Sequence, residues 1–272
     1  MQALLIDNGS LRADSVLNLR AVARALSERV GHEVVPVSLL HSSKIDPAAL
    51  EGEPALVWER YTREQIEAGE RDFYVIPFFF GPTGAIEDYL PERLERLRER
   101  LGDIHVQVAP FLFDAEEVDL AQILAARIRE VQQQHGLRDV PVALCDHGSP
   151  KPEVAAVRDA LAQQLTDILN HQVVPCSMER REGPEYDFNE PLLERLLRQP
   201  GFHDSPLIVS LLFLSPGRHA GEGGDVATIC AEAERVFPNL QTYRTDLVGT
   251  HPAIVDILEQ RFIKGLVQPR LI

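Results

Sequence analysis

The sequence predicts an α/β protein made of two like domains, each a parallel four-stranded sheet flanked by helices, produced by internal duplication. Three observations predict it. Segment 5–38 aligns without a gap on 144–177, so that Asp7-Asn8-Gly9-Ser10 falls on Asp146-His147-Gly148-Ser149 and His32-Glu33-Val34-Val35-Pro36 falls on His171-Gln172-Val173-Val174-Pro175. The match resumes later in the same order, 75–82 on 209–216, and Ile123-Leu124 with Arg127 on Ile257-Leu258 with Arg261. Within each copy, short apolar β-rich runs alternate with longer amphipathic ones, the pattern of a parallel sheet covered by helices. The domains are expected at 1–135 and 136–272, joined near Gln132-Gln133-Gln134-His135-Gly136, a polar stretch ending in a helix-stopping glycine.

In the second copy the elements are expected in the order strand 140–145, helix 154–169, strand 172–176, helix 191–197, strand 207–214, helix 226–236, strand 240–243 and helix 252–264. Leu161, Leu165 and Ile168 illustrate the 3,4-spaced apolar face of the helices. The final helix is expected to pack across the domain boundary. With 272 residues, 44% of them hydrophobic and 25% charged, the chain can bury two cores, and 17 Gly and 19 Pro spread along it exclude a disordered or collagen-like polymer.

Charge narrows the partners. Against 42 Asp plus Glu stand 27 Lys plus Arg, a formal charge of -15, so a nucleic-acid duplex or an anionic membrane surface meets net repulsion and neither is expected as a partner. Residues 1–10 hold no Lys or Arg, which speaks against an export signal, and apolar stretches such as 208–214 fall far short of the ~20 residues a membrane-spanning helix needs. Cys145, Cys176 and Cys230 have no CxxC spacing and read as small buried residues of a reducing compartment, so a cytoplasmic location is expected.

Open parallel sheets bind ligands beyond the carboxyl ends of their strands. In the second copy the first strand runs into Asp146-His147, the second into Met178-Glu179-Arg180-Arg181 and the third into Pro216-Gly217-Arg218-His219. His147, His219 and Glu179 are therefore expected to converge, and two imidazoles with one carboxylate suit divalent iron, cobalt or nickel. The first copy has Asn8, Leu40 and Ala85 at those positions, so one active centre per chain is expected.

The duplicated apolar-x-His-Gly-Ser start, the apolar strand followed by Pro216-Gly217-Arg218-His219, and Gly249-Thr250-His251-Pro252 ahead of the last helix resemble the class II, ATP-independent tetrapyrrole chelatases, specifically the sirohydrochlorin chelatases of the CbiX, SirB and CbiK group. The likeness spans nearly the whole chain and rests on the order and duplication of motifs that are short when taken singly. It implies two chelatase-like domains, the second bearing the site and the first a degenerate copy that shapes the opposite wall of a cleft. It also implies that His147 and His219 hold the incoming metal and help remove pyrrole protons, with Glu179 assisting. Two departures stand out: Asp146 where a Gly is usual, and the first copy stripped of its trio.

The implied reaction is insertion of Co2+ or Fe2+, with Ni2+ a further candidate, into sirohydrochlorin for cobalamin or sirohaem synthesis; the metal is a substrate and no cofactor is required. A histidine with an ordinary pKa of ~6.5 can serve as ligand or base near neutrality, and the sequence leaves open which imidazole does which. A polycarboxylate macrocycle needs local cations in so acidic a protein, and Arg218, Arg180, Arg181 and Lys151 are the candidates, Arg218 and Arg180 expected to clamp the rim. A monomer suffices, because one chain supplies both walls. Competing readings are a non-catalytic tetrapyrrole or metal carrier, a phosphohistidine centre at Arg218-His219, and a nucleotide loop at Gly221-Glu222-Gly223-Gly224-Asp225; the last lacks a P-loop Lys-Ser/Thr and reads better as a lid before a helix capped by Asp225. Asp146 and Ser149 are expected to shape the first turn and cap the next helix, and His251 to be structural.

Overall fold

The structure is a computed structural model that describes residues 1–271. Each half forms its own parallel sheet. In the first, β1 (Gln2–Asp7), β2 (Val34–Ser38), β3 (Asp72–Pro77) and β4 (His105–Val108) lie in the order β2-β1-β3-β4. In the second, β5 (Val142–Asp146), β6 (Val173–Ser177), β7 (Pro206–Leu211) and β8 (Gln241–Arg244) lie in the order β6-β5-β7-β8. All pairings are parallel, as helical crossovers require. The central strands are buried on both faces, which is why 3–6 and 142–145 are continuous apolar runs with no alternation.

Helices α1 (Ala13–Val30), α2 (Trp58–Glu67), α3 (Leu90–Leu101) and α4 (Asp119–His135) belong to the first repeat, and α5 (Pro152–Leu169), α6 (Leu193–Leu196), α7 (Asp225–Val236) and α8 (Ile254–Gly265) to the second. The duplication reaches the hydrogen-bond level. Ser27 in α1 donates to the Ala23 carbonyl and accepts from the Val34 amide, and Thr166 in α5 does the same with Ala162 and Val173. Each hydroxyl thereby ties a helix end to the strand that follows.

The compact units differ from the repeats by the exchange of two helices, α4 and α8. One unit is Met1–Leu112 with the segment from Pro252 onward; the other is Phe113–His251. The repeat boundaries 1–135 and 136–272 therefore do not coincide with the packing units. Helix α4 packs on α5 and β7, while α8 packs on α1 and β3, as the sequence expectation for the last helix had it. The docking of α8 is specific: buried Arg261 donates to the carbonyls of Phe111 (2.7 Å) and Leu112 (2.8 Å), and Tyr74 donates from its hydroxyl to the Phe262 carbonyl (2.5 Å). Burial pushes the Tyr74 hydroxyl pKa well up.

Strand β7 ends at Leu211, three residues short of the expected 207–214, and helix α6 is shorter than the expected 191–197. The chain leaves the sheet after Leu212 donates to the Cys145 carbonyl (2.9 Å), and this departure frees 214–219 to form the edge described next. The three cysteines are buried and unbridged; Cys145 lies beside Cys176 in the β5–β6 register, and their contact and burial raise the Cys145 thiol pKa. Among the described residues no helix is long and apolar enough to cross a membrane.

Candidate functional site at the edge of the second sheet

Strand β5 ends on Asp146, whose buried carboxylate accepts from the Gly148 amide (3.1 Å) and the Ser177 hydroxyl (2.5 Å), with the Arg158 guanidinium 3.7 Å away. Asp146 thus folds the turn that carries His147. Burial raises its pKa, and Arg158, Ser177 and Gly148 oppose that rise. Parallel pairing continues past the strands: Met178 donates to the Asp146 carbonyl (2.8 Å) and Glu179 to the His147 carbonyl (3.1 Å). His147 and Glu179 are consequently neighbours by backbone hydrogen bonding alone. Gly148 makes this approach possible, because it has φ 92° and a Cβ there would sit 1.9 Å from the Glu179 carbonyl oxygen.

The third arm comes from β7. After Pro216-Gly217-Arg218-His219 the chain turns back on itself: Gly221 donates to the Gly217 carbonyl, Gly224 to Gly221, Asp225 to Arg218 and Val226 to His219. The run 221–225, expected as a lid ahead of a helix capped by Asp225, is a hydrogen-bonded turn in which Gly224 is the N-cap and Asp225 the first residue of α7. Asp225 uses its carboxylate elsewhere, 2.7 Å from Nδ1 of His219. Ser149 likewise shapes the turn without being the cap: its hydroxyl accepts from the Lys151 amide, and Lys151 is the N-cap of α5.

These arms bring the two imidazoles together, with ring centroids 4.5 Å apart and planes at 76°. Nδ1 of His147 lies 2.9 Å from the Gly148 carbonyl oxygen, and Nδ1 of His219 faces the Asp225 carboxylate. Both partners are acceptors only, so in each contact Nδ1 is the donor, and Nε2 is the ring nitrogen turned away from it. Nε2 of His147 is 3.5 Å from Oε1 of Glu179. That separation is too long for a strong charge-assisted hydrogen bond, which runs at about 2.7–2.9 Å, and suits two donors sharing one cation, each ligand atom about 2.0–2.2 Å from the metal. Among the described residues no three His, Cys, Asp or Glu side chains are already gathered as a metal-holding group. The geometry is a pair of touching imidazoles with a carboxylate beside each, Glu179 on His147 and Asp225 on His219. Both rings are partly exposed and open to an incoming molecule.

The four expected cationic residues are placed unequally. Arg180 is committed to Asp187 and, at 3.2 Å, to Glu190, which leaves its charge already balanced. Arg181 is exposed, its guanidinium 6.0 Å from the Tyr186 ring centre. Lys151 is half-buried at the start of α5. Arg218 projects from the turn, 79% exposed, its Nε 3.7 Å from the Asp225 carboxylate. At His251, burial and nearby Arg127 lower the pKa.

Two functional positions escaped the sequence reading. Arg158, 1% exposed in α5, stands behind Asp146 and also donates to the Ser177 hydroxyl (2.5 Å) and the Phe188 carbonyl (2.9 Å). The signal was a charge inside the apolar face where the first repeat has Leu19. Asp225 was visible only as a helix-start residue, because nothing in one dimension shows that a glycine turn folds it onto His219.

The CbiX family model matches residues 2–131 and 141–264, one match per repeat. Among solved structures, SirB from Bacillus subtilis with Fe3+ superposes with a TM-score of 0.69 at 15% identity, covering 98% of this chain and 96% of that one. The structure of CbiX described as the terminal enzyme for biosynthesis of siroheme in denitrifying bacteria gives 0.61 at 14% identity, covering 98% and 100%. DR2241 from Deinococcus radiodurans, a multi-domain protein with structural similarity to chelatases, gives 0.63 at 20% identity, covering 99% of this chain and 56% of that one. No curated protein matches the chain in sequence. With the family model matching both repeats over nearly all of its length, the chain belongs to the CbiX family, the class II chelatase group that its duplicated motifs resemble.

Proposed function

We propose that this chain is an ATP-independent chelatase, a lyase that inserts a divalent metal ion into sirohydrochlorin. The observation that carries the reading is the contact between His147 and His219, each with its Nδ1 occupied by an acceptor. The family supports it, as do the solved relatives with iron and with cobalt from Bacillus subtilis. Insertion requires the ion to shed water and the macrocycle to lose two pyrrole protons. In the proposed reaction one imidazole Nε2 binds the ion and the other accepts a proton, a division that two histidines can make in either order. Glu179, beside Nε2 of His147, takes the second proton, or balances the ion's charge while the second proton passes to water.

Co2+ and Fe2+ are the proposed metals, with Ni2+ to be compared, for cobalamin or sirohaem synthesis; the ion is substrate and no further cofactor is assigned. In a chain of charge -15 the macrocycle's carboxylates need a local cation, and Arg218 is the best placed, since Arg180 is already paired. Arg181 and Lys151 remain proposed secondary contacts, and a cytoplasmic monomer without nucleic-acid or membrane partners remains part of the proposal.

A spectroscopic insertion assay tests it. Sirohydrochlorin with Co2+, Fe2+ or Ni2+ should change its absorption in the presence of the wild-type protein. His147→Ala and His219→Ala should each lower turnover about 10²–10⁴-fold, the usual worth of a positioned proton acceptor, while still binding the pigment. Wild-type protein that binds pigment and metal without insertion would make the chain a carrier and overturn the proposal.

A further inference from the structure

We propose that Asp225 is a positioning residue that sets the tautomer and orientation of His219, so that Nε2 faces the incoming ion; this rests on the chelatase reading of the His147–His219 pair. The observation is the 2.7 Å contact of Asp225 Oδ2 with Nδ1 of His219, in a part of the chain whose only other expected role was to start a helix. An imidazole without a partner favours the proton on Nε2, the wrong nitrogen for ligation here. A carboxylate accepts only, so this contact holds the proton on Nδ1 and makes the ring a better donor through Nε2. His147 is fixed by the neutral Gly148 carbonyl instead, so the two imidazoles are held by unlike partners.

The glycine turn serves this contact. A Cβ on Gly224 would lie 2.6 Å from the Arg218 carbonyl oxygen and 2.7 Å from that of His219, so only glycine lets the chain close tightly enough to bring Asp225 back. The same carboxylate lies 3.7 Å from Nε of Arg218. One acidic side chain thus spans the proposed ligand and the proposed substrate-binding guanidinium. In the first repeat the corresponding stretch is a π-helical segment, Ala85–Tyr89, leading directly into α3, with Pro91 at the aligned position; there is no carboxylate there and no histidine for it to hold.

The test compares wild type with Asp225→Ala, Asp225→Asn and Gly224→Ala. Asp225 is part-exposed, so its truncation leaves no buried group unpaired, and thermal melts by circular dichroism check the fold of each variant. Imidazole ¹⁵N shifts of histidine-labelled protein report the tautomer of His219, and visible absorption of added Co2+ reports metal binding without pigment. The expected result is an Nδ1–H tautomer in wild type and its loss in Asp225→Ala and Gly224→Ala. Co2+ affinity should fall about 10–100-fold in those two variants. Asp225→Asn keeps an acceptor oxygen and should restore the tautomer with intermediate affinity. An unchanged tautomer and unchanged Co2+ affinity in Asp225→Ala would overturn the inference, since a residue that only starts α7 would give that result. Should wild type fail to insert metal while the tautomer still depends on Asp225, the chelatase reading falls and the positioning role stands. Should wild type insert metal while the tautomer ignores Asp225, the reverse holds.

Discussion

The carboxyl edges of the two sheets share one backbone and differ in chemistry. At the first, Asp7 accepts from the Gly9 amide, Leu39 donates to the Asp7 carbonyl and Leu40 to that of Asn8, the same ladder that joins Asp146, Gly148, Met178 and Glu179 at the second. Gly9 has φ 85° and meets the Leu40 carbonyl as Gly148 meets that of Glu179. Yet the first edge presents Asn8, Leu40 and Ala85 where the second presents His147, Glu179 and His219. The turn is therefore set by Asp and Gly, which satisfy backbone groups, and the reactive side chains are free to change on top of it. Support beneath the turn differs too: Asp146 has Arg158 behind it, whereas the first repeat has Leu19 at the aligned position and burial pushes the Asp7 carboxyl up to a pKa of about 6.

Making the second edge resemble the first should have the largest effect. His147→Asn, which copies Asn8, is expected to reduce metal insertion about 10²–10⁴-fold with little change in melting temperature, because Asn is tolerated on this ladder. Insertion assays beside thermal melts check it, and near-wild-type turnover would mean the histidine has no part in the reaction.

Arg158→Leu, which copies Leu19, is expected to destabilise the protein by about 3–5 kcal/mol at pH 7, since it strands a buried carboxylate. Urea titration measures this, and Arg158→Leu combined with Asp146→Asn should recover part of the loss. Gly148→Ala and Gly9→Ala should each cost more than about 2 kcal/mol, because both combine positive φ with a carbonyl in the way. If only one of the pair proves costly, the two turns are not equivalent.

The smallest effect concerns Asp7. Its carboxyl pKa rises from 3.8 to about 6 in the folded state, so the native form binds the proton more tightly than the unfolded form. Stability from this group is fully present below pH 3.8 and is lost as pH rises towards 6. Asp7→Asn should therefore stabilise the protein by about 1–3 kcal/mol at pH 8 and by nearly nothing at pH 3.5. Melts at the two pH values check the sign; a gain that does not grow with pH would mean Asp7 stays paired when ionised.

Much of this was legible in one dimension. Segment 5–38 on 144–177 located both first turns and predicted matching helices, and α1 and α5 indeed start at Ala13 and Pro152, aligned positions of the repeat. His147, Glu179 and His219 could be placed on one edge because residues that follow parallel strands meet there. Arg180 looked free beside Glu179, but Asp187 and Glu190, brought up by the loop after β6, consume its charge. Asp225 looked like a helix cap until the glycine turn folded it onto His219.

Sequence by itself determined the duplication, the two parallel sheets and the asymmetry between a bare edge and a histidine-bearing one, because these follow from residue order, apolar periodicity and strand direction. Tertiary structure alone decided that α4 and α8 trade places between the packing units, that Arg158 supports Asp146, and which acidic group holds which ring. The physical reason is that a helix presents the same apolar stripe to either sheet, and a charged side chain has many acceptable partners. The bonds from Arg261 to Phe111 and Leu112, the bond from Tyr74 to Phe262 and the short approach of Asp225 to His219 select one arrangement from several that the local chemistry permits.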